Sequence, residues 1–110
     1  MELFLNIVDF GGQPLPAGKP IKVEIRDTSL ADAPAVLLHQ LTRVVPPATR
    51  TMTLPVKLEL ASVPAGTTVW VHVDMDGDGR VSKGDLVTVE SYPVTSVPGQ
   101  TLTVRVKKVG

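Results

Sequence analysis

The chain is predicted to be all-β: an antiparallel two-sheet β-sandwich of about seven strands, in one domain spanning residues 1–110. Three observations predict it. Apolar residues recur at every second position in short segments along the chain. Ten prolines and nine glycines interrupt those segments. Ala- and Leu-rich runs of helical spacing are missing. With 43% hydrophobic and 20% charged residues, the chain has the material for a core and is not expected to be disordered.

Each segment can be taken in order. ELFLNIV opens the chain as a first strand. IKVEIRD sets Ile21, Val23 and Ile25 on one face and Lys22, Glu24 and Arg26 on the other. AVLLHQL supplies a strand in the middle of the chain. TMTLPVKLEL points Met52, Leu54, Val56, Leu58 and Leu60 inward, and Pro55 within it marks a sheet edge or a bulge. TVWVHV turns Val69, Val71 and Val73 inward, against Trp70 and His72. DLVTVES continues the alternation, and TLTVRVKK ends it with Leu102, Val104 and Val106 inward and Lys107 and Lys108 solvated. Internal repeats, low-complexity tracts and linkers are not apparent.

Composition excludes several functions. Formal net charge is zero, which argues against a nucleic-acid partner. Cysteine is absent, so thiolate catalysis and disulfides are impossible. No stretch approaches the roughly 20 apolar residues of a membrane span. MELFLNIVDFGG has neither a basic n-region nor a long apolar run, so it is not expected to be a signal peptide. Catalysis is not expected. His39 and His72 are the only histidines, and the serines sit in no nucleophile motif. His72 shares a strand face with Trp70 and Asp74, a pairing read as a surface or half-buried histidine.

The most specific chemistry lies in DMDGDGRVSKGD, Asp74 to Asp85. Numbered from Asp74 as position 1, Asp76 falls at 3, Asp78 at 5, Gly79 at 6, Arg80 at 7, Ser82 at 9 and Asp85 at 12. That is the pattern of a calcium loop: side-chain oxygens at 1, 3 and 5, glycine at 6, a backbone carbonyl at 7 and a carboxylate at 12. Ca²⁺ takes six to eight oxygens at about 2.3–2.6 Å, and alternate side chains of a tightly wound loop can reach one centre. Without a cation the carboxylates repel. The ligands expected are the side chains of Asp74, Asp76, Asp78 and Asp85, the carbonyl of Arg80, and Ser82 or a water at position 9. Val81, at position 8, is expected to pin the loop to the core. Asp at position 12 resembles the calcium loops of dockerin modules, where the EF-hand has Glu. Helices flank both of those loops, whereas strand-like VWVHV and LVTVESYPV flank this one. A helix-free loop that stabilises and does not signal is therefore expected. Its affinity should be that of extracellular modules, around 10⁻⁴–10⁻³ M.

A second segment, RDTSLADAPAVLLHQ, runs from Arg26 to Gln40. Physically it is a strand end, a turn capped by Thr28 or Ser29 with Ala31 or Asp32 at its third position, and a new strand. Its residues Asp27, Ser29, Ala31, Asp32, Ala33, Pro34 and Gln40 resemble the YscW-type family of bacterial lipoproteins, which includes YbaY-like lipoproteins and type III secretion pilot proteins. The stretch from His72 to Val94 is similar to a subset of YbaY-like members. The resemblance covers about residues 19–108. It implies a small β-sandwich, a periplasmic or outer-membrane location through a lipid anchor, and an envelope or secretin peptide as partner. It supplies no catalytic residue. The stretch has no signal peptide and no lipobox cysteine, and without an anchor the alternative location is cytoplasmic. A monomer is expected. The competing reading is a carbohydrate- or peptide-binding sandwich, for which one Trp, one Tyr and two Phe give little aromatic surface.

Overall fold

The computed structural model describes residues 1–29, 33–59 and 62–110. Seven strands form, as the period-two pattern predicts: β1 (Glu2–Asp9), β2 (Pro20–Asp27), β3 (Val36–Val44), β4 (Thr51–Lys57), β5 (Thr67–Val73), β6 (Leu86–Thr88) and β7 (Gln100–Lys108). Among the described residues no helix forms. Alternation gives the facing correctly. Ile21, Val23, Ile25, Met52, Leu54, Val56, Val69, Val71, Val73, Val104 and Val106 are all buried, with Leu58 just beyond β4. Leu60 of the β4 segment, and Ala31 and Asp32 of the turn after β2, lie outside the described residues.

The two-sheet antiparallel sandwich is corrected. All seven strands belong to one sheet in the order β3-β2-β5-β6-β7-β1-β4. That sheet is mixed, because β1 and β7 run parallel, with Leu3 opposite Gln100 and Asp9 opposite Val106. The sheet contains two three-stranded groups, β3-β2-β5 and β7-β1-β4. The short strand β6 pairs with β5 on one side and β7 on the other, which fuses them. Buried residues of both groups form a single cluster, so the continuous sheet curls around its apolar face. Without a helix to cover that face, curling is how an open sheet buries it. Period two reports which face of a strand is buried and carries no information on its neighbours, so sandwich and curled sheet share one sequence pattern.

The edges follow from composition. Pro55 lies in β4, the last strand of the sheet, where a missing N–H costs no ladder bond. DLVTVES gives only a three-residue strand. Beyond it the chain meets β5 again through the Thr68–Pro93 bridge and the Val94 N–H to Thr67 carbonyl bond of 2.9 Å. After β2 the turn is fixed from the strand side. The Asp27 carboxylate accepts the Ser29 N–H at 3.0 Å. The Thr28 hydroxyl donates to the Gly66 carbonyl at 2.8 Å.

Candidate metal centre

The stretch Asp74 to Asp85 is the connection of the β5–β6 hairpin. Val73 stands opposite Leu86 and His72 opposite Val87, so the two ends of the loop are held side by side. The loop base is also stitched to the end of β7. Gly84 donates its N–H to the Val109 carbonyl at 2.8 Å, and the Val109 N–H returns to the Asp85 carbonyl at 2.8 Å. The loop therefore sits at the seam where β6 joins the two halves of the sheet.

The four aspartates converge. Asp74, Asp76, Asp78 and Asp85 each offer a carboxylate oxygen, and these oxygens all lie within 4.8 Å of one another. Local hydrogen bonds aim them. Asp74 accepts the Gly77 N–H at 3.0 Å and the Gly79 N–H at 2.7 Å. Gly79 has φ +77°, a conformation that disfavours any side chain and here bends the chain back over Asp74. Asp78 accepts the Arg80 N–H at 2.9 Å. The Ser82 hydroxyl donates to Asp76 at 2.9 Å, which brings position 9 into the cluster. The hydrogen bond from Ser82, followed by that with Asp74, outweighs the upward push of burial and holds the Asp76 carboxyl below its usual range. Among the described residues no Lys or Arg nitrogen forms an ion pair with Asp74, Asp76, Asp78 or Asp85. An all-oxygen, anionic donor set of this kind suits a hard divalent cation.

Two features depart from the sequence reading. Val81 is 50% exposed, so it does not pin the loop to the core. That task falls to Asp85, which is fully buried. One of its oxygens accepts the Met75 N–H at 2.8 Å. The other accepts the Ser82 N–H at 3.1 Å and faces His72 Nε2 at 2.8 Å. Because Asp85 is a carboxylate, the shared hydrogen sits on Nε2. Burial pushes the Asp85 carboxyl up, but the hydrogen bonds from His72, Met75 and Ser82 outweigh it and leave the group below its usual range.

Sequence reasoning placed His72 on the outer face and paired it with Asp74. The face is right, but the ring is buried and its direct partner is Asp85. Trp70 covers it at 5.5 Å between ring centroids, and the Arg26 guanidinium lies 4.3 Å over Trp70. Arg26 is in turn held by Glu24, which is itself buried. The sequence signal that could have found this is a polar run on the outer face of β2 and β5 opposite a lone tryptophan.

Beside the loop lies a cleft of about 400 Å³ lined by Asp9, Pro14, Pro16, Met75, Gly84, Leu86 and Lys108. Met75 and Gly84 belong to the acidic loop, so the two features share a wall.

No protein-family model matches the chain. No curated protein matches it. Among solved structures it is similar to an alternative pilotin from the type II secretion system of Vibrio cholerae, at 19% sequence identity and a TM-score of 0.73 over 100% of this chain and 97% of that one. At that identity the likeness is one of fold, and the chain has the fold of this pilotin from end to end.

Proposed function

We propose that this chain is a pilotin-like assembly domain of the cell envelope, stabilised by calcium. The observation that carries the reading is the end-to-end match in fold to a secretion pilotin. The resemblance read in the Asp27 to Gln40 segment, and again in His72 to Val94, motivates the finer family reading, which no family model matches. On this reading the protein is a YbaY/YscW-like lipoprotein, located in the periplasm or at the outer membrane. Its partner is an apolar segment of a secretin or another envelope protein. The proposed seat for that segment is the cleft walled by Pro14, Pro16, Met75 and Leu86.

Calcium is the ion that the loop pattern favours, held by Asp74, Asp76, Asp78, Asp85, the Arg80 carbonyl and Ser82. Its proposed part is structural: closing the seam between the two halves of the sheet and fixing the Met75 wall of the cleft. Catalysis has no place in this reading. A carbohydrate-binding role is less well supported, because Arg26 covers Trp70 and the Tyr92 hydroxyl is engaged by the Arg105 N–H at 2.9 Å.

Crosslinking in envelope extracts tests the partner. Recovery of a secretin, reduced by Leu86→Lys in the cleft, is the expected result. If no envelope peptide is retained at any calcium concentration, the assembly role fails and a structural domain remains.

A further inference from the structure

Strand register brings one set of strand ends to the same side of the molecule. Val8 stands opposite Thr51, Asp9 opposite Val106, and Leu86 opposite both Lys108 and Val73. Val73 in turn stands opposite Ile21, and Pro20 opposite Val44. The β1–β2, β3–β4 and β5–β6 connections and the end of β7 therefore share one end of the curled sheet. That end is basic on its surface. Arg43, Arg50, Arg80, Lys83, Lys107 and Lys108 are all exposed there, out of 11 Lys and Arg residues in the chain. Among the described residues none of these cations forms an ion pair. The acids of the same end are largely withdrawn. Asp74 and Asp85 are buried, and half-buried Asp9 is held by the Gly11 and Gln13 N–H groups, which leaves Asp76 and Asp78 exposed. At the opposite end Glu2, Asp27 and Glu59 are set against Lys57, and Arg26 is taken up by Glu24.

The basic end also carries apolar side chains in water. Phe10 is 44% exposed, Val44 63% and Val81 50%. Each has a cation beside it. The Arg105 guanidinium lies 4.9 Å and the Lys107 ammonium 5.2 Å from the centre of the Phe10 ring. Val44 follows Arg43 and Val81 follows Arg80.

We propose that this end of the sheet is a contact surface for anionic lipid headgroups, with Phe10, Val44 and Val81 entering the headgroup layer between the cations. The charge is complementary to such a surface, where each Lys or Arg contributes about fivefold in affinity. An apolar group next to a long cationic side chain suits the boundary between headgroups and acyl chains: the apolar part enters and the charged head stays with the phosphates. The three apolar residues stand on three different elements, and the lining of the cleft includes none of them. A fluid lipid surface meets all three at once, whereas a folded acidic partner would need matching relief. This inference goes beyond the assembly role and depends on neither the secretin nor the ion.

Co-sedimentation with vesicles tests it, in chelator so that no divalent ion bridges protein and lipid. Vesicles of phosphatidylglycerol and phosphatidylethanolamine should carry the protein down, and raising salt from about 0.05 M to about 0.5 M should release most of it. Phosphatidylcholine vesicles should leave it in solution. Lys83→Gln combined with Lys107→Gln should weaken binding at least tenfold, and Phe10→Ser should weaken it at low and high salt alike. Lys57→Gln, at the opposite end, should leave binding within about twofold. Circular dichroism establishes that each variant is folded, and Val44→Ser replaces Phe10→Ser if the latter is not. No binding to the phosphatidylglycerol vesicles at low salt overturns the proposal. So does equal binding to phosphatidylcholine, or a loss at Lys57→Gln as large as that of the double variant. Capture by polyglutamate without capture by vesicles also overturns it, and makes the basic end a seat for an acidic protein.

Discussion

The acidic loop has a buried base and an exposed rim, and the same residue type does different work in each. Asp85 at the base is fully buried and accepts hydrogen bonds from His72, Met75 and Ser82. Asp76 and Asp78 at the rim are exposed and accept bonds only from their immediate surroundings in the loop. Asp74, 7% exposed, stands between them. The base is held by the surrounding fold, whereas the rim carboxylates are held only by their own loop. A twelve-position motif presents these aspartates as equivalent oxygens, and only their surroundings separate the roles.

The largest expected effect comes from the base. Asp85→Ala leaves the buried His72 and the half-buried Met75 and Ser82 N–H groups without their acceptor, and breaking a buried pair costs about 3–5 kcal/mol. Urea denaturation in chelator reads this loss. If Asp78→Ala costs as much under the same conditions, base and rim are not distinct. The next effect belongs to the rim. Calcium at 100 times its dissociation constant should add about 2.7 kcal/mol to the unmutated protein. Asp76→Ala and Asp78→Ala should each abolish that gain, while their melting points in chelator stay within about 2 °C of the unmutated value. Superimposed melting curves with and without millimolar Ca²⁺ would remove calcium from the account.

A smaller effect concerns pH. The Asp85 carboxyl is held below its usual range in the folded chain. Its contribution is therefore complete above the ordinary carboxylate value near pH 4 and is lost as pH falls through the lower folded value. In chelator, stability should decline with acid more steeply for the unmutated protein than for Asp85→Asn; equal slopes would mean that Asp85 is not a linked group. The smallest effect is at Val81. Being half exposed, Val81→Ser should change stability by less than about 0.5 kcal/mol. A loss several times larger would restore Val81 as the anchor of the loop.

Much of the architecture was legible because strands report themselves locally. Ile21, Val23 and Ile25 alternate with charged residues and are buried. Pro55 announces an edge and lies in one. The loop pattern placed four aspartates at spacings that do converge. Strand neighbours were not legible, because β1 lies between β4 and β7, the latter from the other end of the sequence. The burial of His72 was hidden for a related reason: its cover is assembled from Trp70, Arg26 and the loop end, which only the tertiary fold brings together.

The parallel pairing of β1 with β7 also sets an order of events during folding. β2, β3 and β5 can associate with one another, and β1 can pair with β4. Those two pieces share no direct hydrogen-bonded ladder with each other. They are joined only when Gln100–Lys108 arrives and takes its place between β6 and β1. Until then each piece has an apolar face and an additional open edge, so the chain stays aggregation-prone until Gln100–Lys108 docks. A nonsense or frameshift lesion upstream of Gln100 therefore yields two unfused fragments of sheet on one chain, a substrate for proteases, and not a shortened version of the fold.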